Sequence, residues 1–244
     1  MATVKKIALG FLVLILLACG IAGYFLWAMG NAEFWESSIR RYEEADRAHP
    51  PEPGSIVFTG SSSIRFWHTL ADDMKPLDVI NRGFGGSEIA HVNQYAARIV
   101  IPYRPRAVVL YAGENDLSWP SSKSPETVLG DFKRFVEIIH SQLPDSWIYY
   151  VSMKPTPLRW NNWKTIQEAN RMIERYSQTQ TRVQFIDVSA AMLNARGLPR
   201  RELFRWDRLH MNAKGYALWT ATIKPVLLSR FGPLAMSSWH SKRK

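Results

Sequence analysis

Five short runs of near-continuous apolar residues, at 55–58, 77–80, 107–111, 147–151 and 183–186, constrain this chain more than any other feature. A strand with one face in water alternates apolar and polar residues, whereas a run without alternation buries both faces. Stretches of helical spacing separate the runs, at 88–99, 125–143, 161–179 and 212–231, and another at 32–48 precedes them. Strands of this kind alternating with helices predict an α/β domain: a three-layer α/β/α sandwich with a five-stranded parallel sheet covered on both faces. Chemistry in such sheets gathers at the carboxyl ends of strands, so the residues that follow each run matter most.

The 244 residues divide by composition into an N-terminal segment, 1–30, a helix and linker, 31–53, the sheet domain, 54–232, and a basic tail, 233–244. Residues 7–29 carry no charge and follow Lys5 and Lys6. As a helix they would cover roughly 35 Å, enough to cross a bilayer. A signal peptide cleaved near Ala28-Met29-Gly30 is the alternative, but signal cores are usually shorter. Lysines at one edge, with Glu33 and Glu36 ahead of Arg40 and Arg41 at the other, predict a single-pass anchor with a cytoplasmic N-terminus and an extracytoplasmic domain. Residues 32–48 then read as a membrane-proximal helix. Cys19 is the only cysteine, which excludes an intramolecular disulfide and any cysteine-based metal site. The net charge of +10 comes without a zinc-finger or comparable signature, so nucleic acid is not an expected partner. A solvated basic surface accounts for it, and attraction to anionic headgroups or acidic polymers is the alternative. Arg200, Arg201, Arg205 and Arg208 concentrate that charge in the stretch leading to His210, where they read as solvated helix and loop charges or as attracting an anionic substrate or lipid headgroups.

Four blocks carry chemistry. The first run opens into Thr59-Gly60-Ser61-Ser62-Ser63, three hydroxyls of equal standing at a strand-to-helix turn, where free backbone N–H groups favour negative charge. The second ends in Asn81-Arg82-Gly83-Phe84-Gly85-Gly86-Ser87-Glu88, a turn whose backbone can approach a ligand closely but which matches neither a dinucleotide fingerprint nor a P-loop. The third ends in Gly113-Glu114-Asn115-Asp116, where the Asn115 carboxamide could donate to an oxyanion or cap a helix, and Asp116 could equally be the cap. Trp206-Asp207-Arg208-Leu209-His210-Met211-Asn212 opens the last helix. An Asp three residues before a His can hold Nδ1–H and free Nε2 to take a proton. The loop after the fourth run, Lys154-Pro155-Thr156-Pro157 with Trp160 and Trp163, reads either as a substrate wall or as surface packing.

Taken together, the blocks resemble those of the SGNH, or GDSL-type, hydrolases over residues 55–231, with Gly60-Ser61-Ser62, the block-two glycine, Gly113-Glu114-Asn115-Asp116 and Asp207 to His210 as the matching motifs. The resemblance implies the flavodoxin-like fold of that family. It implies Ser62 as nucleophile, His210 as general base and acid, and Asp207 as its orienting carboxylate. The oxyanion hole would combine the N–H groups of Ser62 and Gly86 with the Asn115 side chain. Where the family often has Asp after the first glycine, this chain has Ser61.

A serine esterase working through an acyl-enzyme follows, acting on small acyl esters, lipids or O-acetylated carbohydrate, with no metal or organic cofactor. Two alternatives use the same scaffold: a non-catalytic module that binds envelope polymers, and an acyltransferase in which an alcohol replaces water.

Overall fold

The computed structural model describes residues 32–232, together with residues 10, 12–21 and 23–24. The expected anchor at 7–29 lies only partly within these residues, and the part described is helical; the basic tail lies outside them. Among the described residues no helix is long and apolar enough to cross a membrane. The chain forms two units, 1–37 and 38–244, and the second contains the sheet.

The sheet has five strands, β1 (Ile56–Gly60), β2 (Val79–Gly83), β3 (Ala107–Tyr111), β4 (Trp147–Val151) and β5 (Val183–Ile186), in the order β2-β1-β3-β4-β5. Every neighbouring pair is parallel. All residues of β1 and β3 are buried, which is why their sequences show no polar alternation. Alternate positions point to opposite layers. Ile56, Phe58, Val109, Tyr111, Tyr149 and Val151 belong to a core that includes Trp219, Ile223 and Leu227 of helix α7 (Ala213–Phe231). The other layer is built from α4 (Ile89–Ile99), α5 (Pro125–Gln142) and α6 (Trp163–Thr179), which pack in sequence.

β1 and β2 each start later and run further than the hydrophobic pattern predicts, and their partners explain how far they run. β2 continues through Asn81-Arg82-Gly83 because Arg82 finds partners where an apolar side chain was expected: its Nε donates to Tyr103 Oη at 2.7 Å, and it pairs with Asp46 of α1 (Glu36–Ala48). β1 runs on through Thr59 and Gly60, which pair with Arg82 and Gly83 on one side and Leu110 and Tyr111 on the other. Gly60 has φ +127°, and a Cβ there would lie 1.9 Å from the Tyr111 carbonyl oxygen. Two short helices, α2 (Ser62–Arg65) and α3 (Leu70–Met74), complete the segment between β1 and β2 and were not legible as periodic stretches.

The chain enters the sheet at β1, moves outward to β2, then crosses back to β3 on the other side of β1. The strand order therefore reverses between β1 and β3, and a crevice is expected outside their carboxyl ends. Ser62 follows β1 and Asn115 follows β3.

Candidate active site

The three hydroxyls after β1 have different surroundings. Ser61 is buried, and its backbone N–H donates to the Tyr111 carbonyl at 2.9 Å. Ser63 is buried with its Oγ accepting from Lys154 Nζ at 3.1 Å. Ser62 begins α2 with its Oγ 3.1 Å from His210 Nε2. His210 Nδ1 lies 2.7 Å from Asp207 Oδ2. The alignment Ser62–His210–Asp207 thus brings together residues 148 positions apart.

A tight loop holds the histidine. Phe204 and Met211 form an antiparallel bridge, Arg205 N donates to the His210 carbonyl at 2.8 Å, and Arg208 closes the turn with φ +59°. Asp207 Oδ1 accepts from the N–H groups of Leu209 and His210, each at 2.9 Å, so the carboxylate is fixed at both oxygens. Partial burial works against its charge, but these N–H bonds and His210 pull the Asp207 carboxyl down to about 2. Asp207 to His210 lie in this loop rather than in the last helix: α7 starts at Ala213, capped by the Asn212 side chain on the N–H groups of Lys214 and Gly215. On its outer side the His210 ring meets Phe66 edge to face, with centroids 5.0 Å apart.

The glycine turn after β2 closes against the serine. Gly86 has φ +80°. A Cβ on Gly85 would lie 3.8 Å from Ser62 Cβ and 3.0 Å from Arg65 Nη1, so the glycine leaves the space in which that guanidinium sits. Asn115 Nδ2 donates to the Ser87 carbonyl at 3.0 Å, joining the turn to the end of β3. Asp116, beside it, accepts from Ile89 N at 3.2 Å, so it caps α4, a helix distant in sequence, rather than a helix of its own segment. Among the described residues no group of three or more His, Cys, Asp and Glu could hold a metal ion.

The sequence profile of the GDSL-like lipase/acylhydrolase family matches residues 51–218, which contain β1 through the first turns of α7. The chain belongs to this family. Solved structures share the fold at low identity. A candidate platelet activating factor from Streptococcus pneumonia superposes with a TM-score of 0.73 at 18% identity, covering 86% of this chain and 98% of that one. A GDSL-like lipase from Bacteroides thetaiotaomicron VPI-5482 gives 0.69 at 21%, covering 79% and 98%. A carbohydrate esterase family 3 protein from Talaromyces cellulolyticus gives 0.58 at 20%, covering 72% and 97%. No curated protein matches the sequence significantly.

Behind the serine, this GDSL-like chain holds an ionic network that no spacing rule foretold. Lys154 is 2% exposed, and its three donors meet three oxygens: Glu114 Oε2 at 2.7 Å, Tyr111 Oη at 3.0 Å and Ser63 Oγ at 3.1 Å. Arg159 lies 3.3 Å from Glu114 Oε1 and donates through Nη2 to Asn115 Oδ1 at 2.9 Å. Burial would raise the Glu114 carboxyl, but the charges of Lys154 and Arg159 bring it to about 2; burial draws Lys154 down while Glu114 opposes that. The Asn115 amide is therefore gripped at both ends, by Ser87 and by Arg159. The loop left open between substrate wall and packing supplies Lys154 and Arg159. The signal available in the sequence was one lysine three residues after a strand buried from Ile148 to Val151, a position that demands a countercharge.

Proposed function

We propose that this protein is a serine esterase that hydrolyses carboxylic esters through Ser62, His210 and Asp207. The observation that carries the reading is the Ser62 Oγ to His210 Nε2 distance of 3.1 Å, with Nδ1 held by Asp207 at 2.7 Å, in a member of an acylhydrolase family. His210 Nε2 takes the Ser62 proton as Oγ attacks the ester carbonyl, and Asp207 keeps the tautomer that leaves Nε2 free and stabilises the imidazolium. The tetrahedral oxyanion is met by the N–H groups of Ser62 and Gly86 and by the second N–H of Asn115, whose first is committed to Ser87. His210 then protonates the departing alkoxide, leaving an acyl-Ser62. Water, deprotonated by His210, attacks that ester, and the carboxylic acid leaves as Oγ regains its proton.

Small O-acyl groups, including acetyl groups on carbohydrate, are the substrate class we favour; the fold shared with a carbohydrate esterase supports it. The uncharged stretch at 7–29 supports an N-terminal anchor with the catalytic domain outside the cytoplasm.

A fluorophosphonate probe and 4-nitrophenyl acetate test the chemistry on the full chain. Labelling and turnover are expected in the wild type and absent in Ser62→Ala. A wild type inert to both reagents would refute it in favour of a binding module, and turnover that survives Ser62→Ala would remove Ser62 from the role of nucleophile. Alkaline phosphatase fused after residue 232 should be active if the domain is extracytoplasmic; an inactive fusion beside a working cytoplasmic reporter would reverse the orientation.

A further inference from the structure

Charge near Ser62 and His210 is balanced inside and unbalanced at the rim. Lys154 and Arg159 stand against Glu114 and Asp207 within the site. Outside them, Arg65, Arg205 and Arg208 are exposed, and among the described residues none of the three has a carboxylate within ion-pair distance. Arg200, by contrast, is paired with Glu202 at 2.9 Å and contributes little to any field at the site.

Two of the three arginines are held in place. The Arg65 guanidinium lies 5.5 Å from the Phe66 ring centroid and that of Arg205 5.2 Å from it. Phe66 itself packs edge to face on His210. Arg205 Nε donates to the Met211 carbonyl at 3.0 Å, which anchors the side chain. Arg65 occupies the space over Gly85, whose α-hydrogen face also borders Ser62 Cβ. One aromatic ring thus carries two guanidiniums on the edge of the proposed catalytic centre, without the carboxylates that usually neutralise such a pair.

We propose that Arg65 and Arg205 form an anion subsite, and that the preferred substrate is an ester bearing a carboxylate or phosphate close to the scissile bond. The inference rests on the esterase reading above and extends it to the substrate. Planar guanidiniums with unused N–H groups suit both anions, and rim arginines without carboxylate partners favour a charged ester over its neutral isostere. Arg208, in the loop between Asp207 and His210, adds to the same field.

The test compares kcat/KM for 4-acetoxybenzoate with that for its neutral methyl ester, each divided by its rate of hydroxide hydrolysis. The corrected anionic-to-neutral ratio should be about tenfold or more in the wild type, the worth of one charge-assisted hydrogen bond. Arg65→Gln and Arg205→Gln should each lower the ratio by about tenfold, and added salt should depress the anionic rate more than the neutral one. A third substrate, 4-acetoxyphenyl phosphate, separates the two anions: whichever of the charged esters gives the larger ratio identifies the group. A wild-type ratio near one, or a ratio untouched by both substitutions, overturns the subsite while leaving the esterase standing. Hydrolysis of none of the three esters, with no fluorophosphonate label on Ser62, removes both.

Discussion

In the proposed mechanism Arg159 touches no reacting atom, yet its removal should slow hydrolysis through Asn115 alone. The Asn115 amide has two fixed contacts, Nδ2 to the Ser87 carbonyl and Oδ1 from Arg159. With both in place the second Nδ2 hydrogen has one direction, and the guanidinium polarises the amide so that this hydrogen is a better donor. In Arg159→Met the Ser87 bond remains, but Oδ1 faces water and the amide can turn or flip. An oxyanion donor of this type is worth roughly 10²–10³ in kcat, about 2.7–4 kcal/mol. Losing its orientation without losing the group should cost about half of that, on the order of 10–30-fold in kcat with little change in KM. Arg159→Lys keeps the charge without the fork that spans Glu114 and Asn115, so its rate should fall between the two. The decisive measurement is a double-mutant cycle on 4-nitrophenyl acetate. Since Arg159 acts through Asn115, the variant with both Asn115→Ala and Arg159→Met should be no slower than Asn115→Ala alone, a coupling of about 1.4–2 kcal/mol. Additive losses would refute the argument, because Arg159 would then be acting on substrate or fold independently of the amide. A kcat for Arg159→Met within twofold of wild type would refute it as well.

Two carboxyls predict opposite dependences of stability on pH. Glu114 is depressed to about 2 in the folded chain, so its contribution is complete above its ordinary value near 4.5 and lost as pH falls through 2. That contribution is about 3 kcal/mol, and urea unfolding of the wild type should weaken more steeply below pH 4.5 than that of Glu114→Gln. At neutral pH the same variant should be less stable by about 3–5 kcal/mol, because Lys154 and Arg159 are left without their shared countercharge. Equal stability of the two proteins at pH 7 would contradict the ionic account of this cluster. Asp116 runs the other way: burial, with Lys123 opposing and Glu88 reinforcing, raises it to about 6, and its Oδ2 has no hydrogen-bond partner. Its contribution is therefore greatest below about pH 4 and is lost as pH rises through 6. Relative to wild type, Asp116→Asn should gain up to about 3 kcal/mol between pH 4 and pH 7, and a pH-independent difference would exclude this carboxyl as the source.

The legible and illegible parts of this chain separate along a physical line. The central strands β1 and β3, buried on both faces, leave continuous apolar runs, the half-buried β2 and β5 kept enough apolar residues to be visible too, and the strand-helix alternation was enough to place three blocks at carboxyl ends. Within those blocks the residue types were ambiguous: three adjacent hydroxyls offer the same chemistry, and their difference is entirely in what surrounds them. Ser63 is occupied by Lys154, from a loop 91 residues away, and Ser61 is buried against the end of β3 through Tyr111. The end of β2 was misread for a related reason. Asn81 and Arg82 are polar and look like loop, but Asn81 donates to the Ile64 carbonyl at 2.7 Å, and Arg82 is satisfied by Tyr103 and Asp46. A pattern built on hydrophobicity sees the cost of burying these groups and not the partners that offset it.

The same line explains why the arginines near His210 could be counted in the sequence but not weighed. Four were visible together at 200, 201, 205 and 208, and they read either as a field for an anionic substrate or as solvated charges. Pairing removes Arg200, while Arg65, more than a hundred positions earlier, joins Arg205 on the Phe66 ring. Which cations act on a site is decided by which carboxylates reach them, and that is a property of tertiary contacts. Local charge density overstates the influence of a paired arginine and misses an unpaired one brought in by the fold. The distinction has a measurable consequence: Arg200→Gln, which removes an exposed and neutralised charge, should leave the anionic-to-neutral ester ratio within twofold of wild type. A tenfold fall for that variant would mean that long-range field, rather than guanidiniums fixed on Phe66, selects the substrate.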